Sequence, residues 1–145
     1  MIREACLDAN IFLAALDERE PRHRDAFGLL QTIESQDSIL MEPAIVVFEV
    51  TSVLTRKSHR HEIEADEAAA RVDYFSQLPL LLQWQPGLLK RSADLARRLH
   101  LRDAYDSSYL AVAEARNIPL VTLDADFLKK AKRLYDKVID PAHFI

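Results

Sequence analysis

The sequence predicts an α/β fold, a three-layer sandwich in which a central, mostly parallel sheet of about five strands is flanked by helices. Short apolar runs, each too brief for a helix, alternate with segments whose apolar residues recur every three or four positions. The six prolines all fall in or beside the proposed breaks. Because strands that alternate with helices form parallel sheets covered on both faces, we expect this architecture.

The strands are predicted from apolar runs, and the helices from apolar positions at helical spacing. The predicted strands are Ile2–Leu7, Ser38–Glu42, Leu80–Gln85, Leu120–Leu123 and Lys137–Ile139. Six helices are marked in order by Ala26, Leu29, Leu30 and Ile33; by Val46, Val50, Val53 and Leu54; by Ala68, Val72 and Phe75; by Leu88, Leu95 and Leu99; by Leu110, Ala113 and Ala115; and by Phe127, Leu128, Ala131 and Leu134.

Size and composition are typical of one soluble globular unit. With 145 residues, 49% of them hydrophobic and 29% charged, the chain is long enough for one core and too short for two comfortable domains. We therefore expect residues 1–145 to form one domain. No aliphatic run approaches the roughly 20 residues of a membrane span, and the N-terminus lacks a basic-then-apolar targeting pattern. These features predict a cytoplasmic protein with no membrane association.

Missing motifs exclude several classes of function. Gly28 and Gly87 are the only glycines, so neither a dinucleotide-binding GxGxxG fingerprint nor a phosphate-binding P-loop is present. Neither H-E-x-x-H nor G-x-S-x-G occurs, and the single cysteine, Cys6, excludes an internal disulfide and a cysteine-based zinc site. The net charge of -4 argues against a broad basic surface for duplex nucleic acid.

Four acidic residues stand at apolar positions of the pattern. Asp8 ends one apolar run, Glu49 interrupts a second, Asp106 opens a helical stretch and Asp124 closes a strand. Burying a carboxylate without a partner costs several kcal/mol or forces its protonation. Glu49 is the clearest case, because no basic residue lies three or four positions from it. A divalent cation shared by several of these carboxylates would neutralise them.

The predicted topology can bring these acids together. Asp8 and Asp124 follow the first and fourth strands, and reactive crevices of open α/β sheets lie beyond the carboxyl ends of strands. If those strands are neighbours, Glu49 and Asp106 reach the same point from the first turns of adjoining helices. Two like charges 4 Å apart repel by about 4 kcal/mol at an effective dielectric of 20. One or two Mg²⁺ or Mn²⁺ ions suit such an all-oxygen site and can promote phosphodiester cleavage.

Four segments together resemble a PIN domain. They are Asp8-Ala9-Asn10 after the first strand, Glu49 on a helix after Pro43, residues 105–114 and residues 119–126. Their order and spacing are similar to the single-domain VapC ribonuclease toxins of toxin–antitoxin modules. The resemblance extends from Leu7 to Phe127, nearly the whole chain.

This resemblance implies a function and a set of site residues. The resemblance implies a metal-dependent endoribonuclease that hydrolyses RNA phosphodiester bonds. Such proteins are usually homodimers and are inhibited by a small antitoxin protein. Asp8, Glu49, Asp106 and Asp124 correspond to the acidic quartet that is catalytic and binds the metal. Asn10 and Thr122 match polar positions beside the quartet, where they would contact substrate. A further acid, Asp126, matches a possible metal ligand that only part of the family has.

Simpler roles are open for most of these residues. Asp103 and Asp106 form a D-x-x-D pattern typical of a helix cap, and we favour this role for Asp103. Asp124 could cap the helix through Phe127, and Asp8 could cap a helix beginning at Asn10. Asn10 could also be a turn residue, and a threonine such as Thr122 on a strand is more often structural.

Two other classes of function compete with the nuclease. A phosphotransfer domain, either a receiver or an aspartate-nucleophile phosphatase, also places an aspartate after an early strand. Against it, Asp8-Ala9-Asn10 lacks the second acid of D-x-D. A non-catalytic interaction module on the same scaffold is the other alternative. Basic clusters at residues 90–102 and 129–133 could guide RNA, but such charges usually form only a solvated helix face.

Overall fold

The computed structural model describes residues 3–143, and its central feature within them is a five-stranded sheet. The strands are β1 (Glu4–Leu7), β2 (Ile39–Pro43), β3 (Leu80–Gln83), β4 (Leu120–Val121) and β5 (Val138–Ile139). Their spatial order is β3-β2-β1-β4-β5, and every neighbouring pair is parallel. This confirms the predicted three-layer α/β architecture with five parallel strands.

Seven α-helices connect and cover the strands of residues 3–143. They are α1 (Ala9–Ala15), α2 (His23–Ser35), α3 (Val46–His59), α4 (Ala65–Ser76), α5 (Pro86–Arg98), α6 (Tyr105–Arg116) and α7 (Ala125–Ala131), and a 3₁₀ turn follows at Pro141–His143. Between residues 3 and 143, every helix is too short or too polar to cross a membrane.

Some element boundaries differ from the prediction. The predicted start of the first strand, Ile2, lies outside the described residues, and β1 begins at Glu4. The third strand ends at Gln83 rather than Gln85, because Gln85 is the N-cap of α5 and Pro86 its first residue, a position where proline loses no helical hydrogen bond. Leu134 lies in the turn after α7 and not in the helix.

Strands β1 and β4, which pair in the middle of the sheet, are buried except for Glu4, as strands covered on both faces should be. Ala5, Cys6 and Leu7 of β1 and both residues of β4 are fully buried. Helix α6 packs against β1, β2 and β4, and its residues 109–113 are all buried. A helix segment of this kind belongs in the core, and the first turn of α6 is thereby held at the edge of the sheet.

The register of the sheet determines where the functional site lies. Cys6 pairs with Leu120 and Leu7 with Val121, so the next residues, Asp8 and Thr122, leave the sheet side by side. The backbone N–H of Asp8 donates to the carbonyl oxygen of Val121 at 2.9 Å. The first and fourth strands are therefore neighbours, which is the condition under which the sequence predicted a shared rim.

Candidate functional site

Asp8 lies at the centre of the site, at the carboxyl end of β1. Its residue exposure is only 4%. The Thr122 hydroxyl donates to Asp8 Oδ2 at 2.8 Å, and Asn10 Nδ2 donates to the same oxygen at 3.3 Å. Asp8 occupies the N-cap position of α1, but its side chain makes no capping hydrogen bond. The carboxylate is therefore held by two neutral groups, and no cation within residues 3–143 pairs with it.

Asn10 and Thr122 link α1 to the loop after β4. Asn10 Oδ1 accepts a hydrogen bond from the backbone N–H of Leu123 at 3.1 Å, and Thr122 Oγ1 accepts one from that of Asp124 at 3.1 Å. Asn10 Nδ2 also lies 3.3 Å from Thr122 Oγ1. Asn10 and Thr122 thus orient Asp8 and the backbone of Asp124. Their contact with substrate stays a prediction.

Glu49 and Asp106 face the site from the first turns of α3 and α6. Both are half-buried. The Tyr109 hydroxyl donates to Glu49 Oε1 at 2.9 Å, and its ring is fully buried in the core. Because Asp106 and Tyr109 are one turn apart on α6, this helix both contributes an acid and orients the acid of α3.

One predicted cap is confirmed at the edge of the site. Asp124 is the N-cap of α7, where its Oδ1 accepts from the backbone N–H of Phe127 at 3.0 Å. At α6 the N-cap is Ala104 rather than Asp103, but Asp103 Oδ1 accepts from the free backbone N–H of Tyr105, the first residue of the helix, at 3.1 Å. Asp124 is exposed, as is Asp126 two residues further on in the first turn of α7.

Burial dominates the electrostatics of Asp8. Loss of hydration, reinforced by the charges of Asp106 and Glu49, raises the pKa of Asp8 from 3.8 to about 7, although the hydrogen bond from Thr122 opposes the shift. A carboxyl group with this pKa is only about half ionised at neutral pH. A divalent cation at this position would remove the penalty and restore the charge.

The other half-buried acids experience the same field. Burial, together with the charges of Asp106 and Asp103, raises the pKa of Glu49 against the stabilising hydrogen bond from Tyr109. Burial and the charges of Asp124 and Asp103 raise the pKa of Asp106. Each acid of the quartet thus repels at least one other, so the four share one field.

The donor set fits a magnesium or manganese ion in its chemistry. All four predicted ligands are carboxylates, the groups these hard cations prefer. Among residues 3–143, no three His, Cys, Asp or Glu side chains lie close enough as placed to hold one ion. An ion shared by three of the acids therefore requires side-chain rotation. Mutual repulsion favours such separated carboxylates until a cation offsets it.

One buried acid is missing from the sequence-based site. Glu42, at the end of β2, is 0% exposed, whereas Asp124 lies at the surface. Its Oε1 accepts from the backbone N–H of Leu7 at 2.7 Å, and its Oε2 from Cys6 Sγ at 3.5 Å. Burial raises its pKa well above 4.5. Glu42 ends the apolar run Ile39–Met41, the same signal that identified Asp8, and applying that criterion there would have found it.

Comparison with known proteins identifies the family. A family model described as PIN domain matches residues 5–133. No curated protein sequence matches the chain. Similar solved structures include VapBC2 from Rickettsia felis bound to a promoter DNA fragment, with 16% identity and a TM-score of 0.69 over 94% of this chain and 98% of that one.

Two other structures share the fold. PAE2754 from Pyrobaculum aerophilum has 23% identity and a TM-score of 0.68, with 99% of this chain and 93% of that one covered. VapC20 from Mycobacterium tuberculosis, a Sarcin-Ricin loop cleaving toxin, has 16% identity and a TM-score of 0.64, with 85% and 92% covered. The family model covers most of the chain, and the topology agrees with these structures. This chain therefore belongs to the PIN domain family.

Proposed function

We propose that this protein is a metal-dependent endoribonuclease that hydrolyses RNA phosphodiester bonds and acts as the toxin of a toxin–antitoxin pair. The observation that carries the proposal is the acidic quartet itself. Asp8, Glu49, Asp106 and Asp124 stand at one edge of the sheet, three of them have raised pKa values, and none forms an ion pair within residues 3–143. Such an uncompensated acidic cluster is typical of a cation site.

The four carboxylates would hold the cation, and neighbouring groups would position them. A bound Mg²⁺ or Mn²⁺ would supply Lewis-acid activation of the phosphate and of a water molecule. Thr122 and Asn10 fix the orientation of Asp8, and Tyr109 fixes that of Glu49. Capping of α7 by Asp124 keeps that carboxylate at the rim.

A flexible single strand or loop of RNA is the substrate class that this site favours. Asp8 is recessed, so a phosphate must bend inward to come near it. A cavity of about 320 Å³ opens beside Asn10, the neighbour of Asp8, and its lining includes the apolar Leu13 and Val53 and the basic Arg22 and Lys57. Cleavage of the Sarcin-Ricin loop by VapC20, which has the same fold, is consistent with a looped RNA target.

Partners follow from the same comparison and from the surface. The likeness to VapBC2, a protein of the VapBC toxin–antitoxin type, supports a small antitoxin protein as partner. Apolar side chains are exposed on the edge strand β3, Leu81 at 50% and Leu82 at 48%, and directly after it, Trp84 at 68%. An edge strand with exposed apolar neighbours favours a second copy of this chain, a homodimer. Sedimentation of Trp84→Ser as a monomer would support that assignment.

The direct test is cleavage of defined RNAs by the purified protein with and without a chelator. We expect cleavage only with Mg²⁺ or Mn²⁺, and a loss of roughly 10²–10⁴-fold in Asp8→Asn and Asp106→Asn. Asp73→Asn, the same change at an exposed position of α4, is the matched control and should cleave like the wild type. Unchanged cleavage in both site variants would overturn the proposal. A trapped phosphoaspartyl protein would instead favour phosphotransfer.

A further inference from the structure

Helix α7 carries a dense cluster of positive charge without acidic partners. Lys129, Lys130, Lys132 and Arg133 occupy four of five consecutive positions at its carboxyl-terminal end and in the following turn. None of them lies within 4.0 Å of a carboxylate oxygen of residues 3–143, although Asp126 is only one turn away. All but Lys130 are exposed.

The basic cluster of α5 is partly offset by ion pairs within residues 3–143. Arg91 is paired with Glu114 at 2.7 Å, and Arg91, Arg97 and Arg98 share Asp94, with Arg98 at 4.0 Å, while Lys90 forms no ion pair there. Lys57 of α3 is paired with Asp17 at 2.8 Å. Unpaired cations elsewhere in residues 3–143 form smaller groups, such as Arg56 and Arg60, which lie one turn apart near the end of α3.

The position of α7 relates this cluster to the acids. The helix begins directly after Asp124, its cap, and buries Phe127 and Ala131 against the core. With a rise of 1.5 Å per residue, Lys129 lies about 7.5 Å along the axis from Asp124, and Lys132 at the C-cap about 12 Å. Lys129 is therefore within about one Debye length of Asp124 at physiological salt, about 8 Å, so an extended polyanion that reaches the acids also meets the first cation of the cluster.

We infer that Lys129, Lys132 and Arg133 of α7 bind the phosphate backbone of single-stranded RNA that enters the acidic site. This inference rests on the proposed ribonuclease function and assigns its substrate track to α7 rather than to α5. A polyanion is repelled by the uncompensated acids, and the nearby unpaired cations supply the opposing attraction. The cations of α5 supply less, because neighbouring carboxylates already offset them.

The alternative is a purely structural role. Cations in the last turn of a helix stabilise its dipole, and these residues are placed to do so. That role predicts a lower melting temperature when the charges are removed, with no change in RNA affinity. Backbone binding predicts a change in the salt dependence of RNA affinity, which helix stability does not affect.

The test compares Lys129→Gln/Lys132→Gln with Arg97→Gln/Arg98→Gln, a control that also removes two exposed positive charges. Binding of a fluorescein-labelled single-stranded RNA is followed by fluorescence anisotropy in EDTA, where no cleavage is expected. The salt concentration is varied from about 50 to about 200 mM, a range in which binding to phosphates is salt-sensitive. We expect the α7 variant to bind about tenfold more weakly and to lose about one unit of salt slope for each lysine, with the control like the wild type.

The outcomes separate this inference from the proposed function. Equal affinities and slopes for the two variants would overturn the α7 assignment, as would a drop in melting temperature without a change in slope. If the wild-type protein cleaves RNA and the two variants bind RNA alike, the RNA-binding role of α7 is contradicted and the proposed ribonuclease activity is not. Absence of metal-dependent cleavage would overturn the ribonuclease, and the EDTA binding data would still decide whether α7 binds RNA.

Discussion

Two aspartates of this protein are almost equally buried and have opposite electrostatic surroundings. Asp17, after α1, is 3% exposed, and Asp8, after β1, is 4% exposed. Burial raises the pKa of Asp17, but hydrogen bonds from Lys57 and Arg19 outweigh it and hold this pKa well below 3.8. The pKa of Asp8 is instead raised to about 7. Asp17 has its cations built into the fold, whereas Asp8 has none within residues 3–143, and this contrast is the basis on which we propose Asp8 as a cation ligand.

Removing the built-in cation of Asp17 should destabilise the protein. Lys57→Met leaves Asp17 buried with only the arginines nearby, so we expect unfolding to become easier by about 2–3 kcal/mol at pH 7. Because the folded pKa of Asp17 is depressed, this contribution is present above its ordinary pKa of 3.8 and fades as pH falls below that value. Urea unfolding at pH 7 and pH 3 measures both.

The matched control for this prediction is the double variant Asp17→Asn/Lys57→Met. With both charges gone, it should be more stable than Lys57→Met alone, which a double-mutant cycle detects. A single variant as stable as the wild type would show that Asp17 does not depend on Lys57.

At Asp8, removing the charge should stabilise the protein rather than destabilise it. Asp8→Asn should raise the free energy of unfolding by about 1–4 kcal/mol at pH 8 in EDTA, because it removes an unpaired buried charge and keeps an acceptor for Thr122. The folded pKa lies above the unfolded one, so the wild-type penalty is absent below about pH 4, grows up to about pH 7 and is constant above it. Thermal melts across this range, with Asp73→Asn as control, would refute the account if the site variant were destabilised at pH 8.

The neutral partner of Glu49 allows a finer test. Tyr109→Phe removes the hydroxyl that orients Glu49 and retains the buried ring, so we expect roughly tenfold weaker activation by Mn²⁺ in RNA cleavage. Tyr135→Phe removes a hydroxyl that bonds only to the carbonyl oxygens of Ala113 and Ile118, and serves as control. Identical metal dependence of the two variants would show that the Tyr109 hydroxyl does not contribute to metal binding.

Glu42 separates the loss of a hydrogen-bond acceptor from the loss of a charge. Glu42→Gln keeps an acceptor for the Leu7 N–H and removes a buried acid with a raised pKa, so, as at Asp8, stability at pH 8 should rise. Glu42→Ala leaves that N–H without its partner and should cost about 2–3 kcal/mol. Chemical unfolding of the two variants side by side distinguishes loss of the acceptor from loss of the charge.

Features set by local pattern could be predicted from the sequence. The buried runs around Leu7 and Leu120 identified the central strands, and Glu49 stood out because no cation lies within one helical turn of it. The hydrogen bonds that Asp124 and Asp103 accept from first-turn N–H groups were predictable for the same reason, because each joins residues close together in the sequence.

Contacts between distant segments could not be predicted. The bond from Tyr109 to Glu49 spans 60 positions, and that from Leu7 to Glu42 spans 35. Sequence pattern also gives no depth, which is why Asp124 was expected in the core but lies at the surface. Likewise, the ion pairs that distinguish the basic residues of α5 from those of α7 depend on side-chain positions that the sequence pattern does not give.

The central claim is that the acidic quartet gathers a divalent cation, and calorimetric titration of Mn²⁺ into the purified protein at neutral pH tests it most directly. We predict binding to the wild type and to Asp73→Asn, and an affinity weakened about 10–100-fold in Asp8→Asn and Asp106→Asn. Equal Mn²⁺ affinity in all four proteins, or no binding to the wild type, would contradict the account.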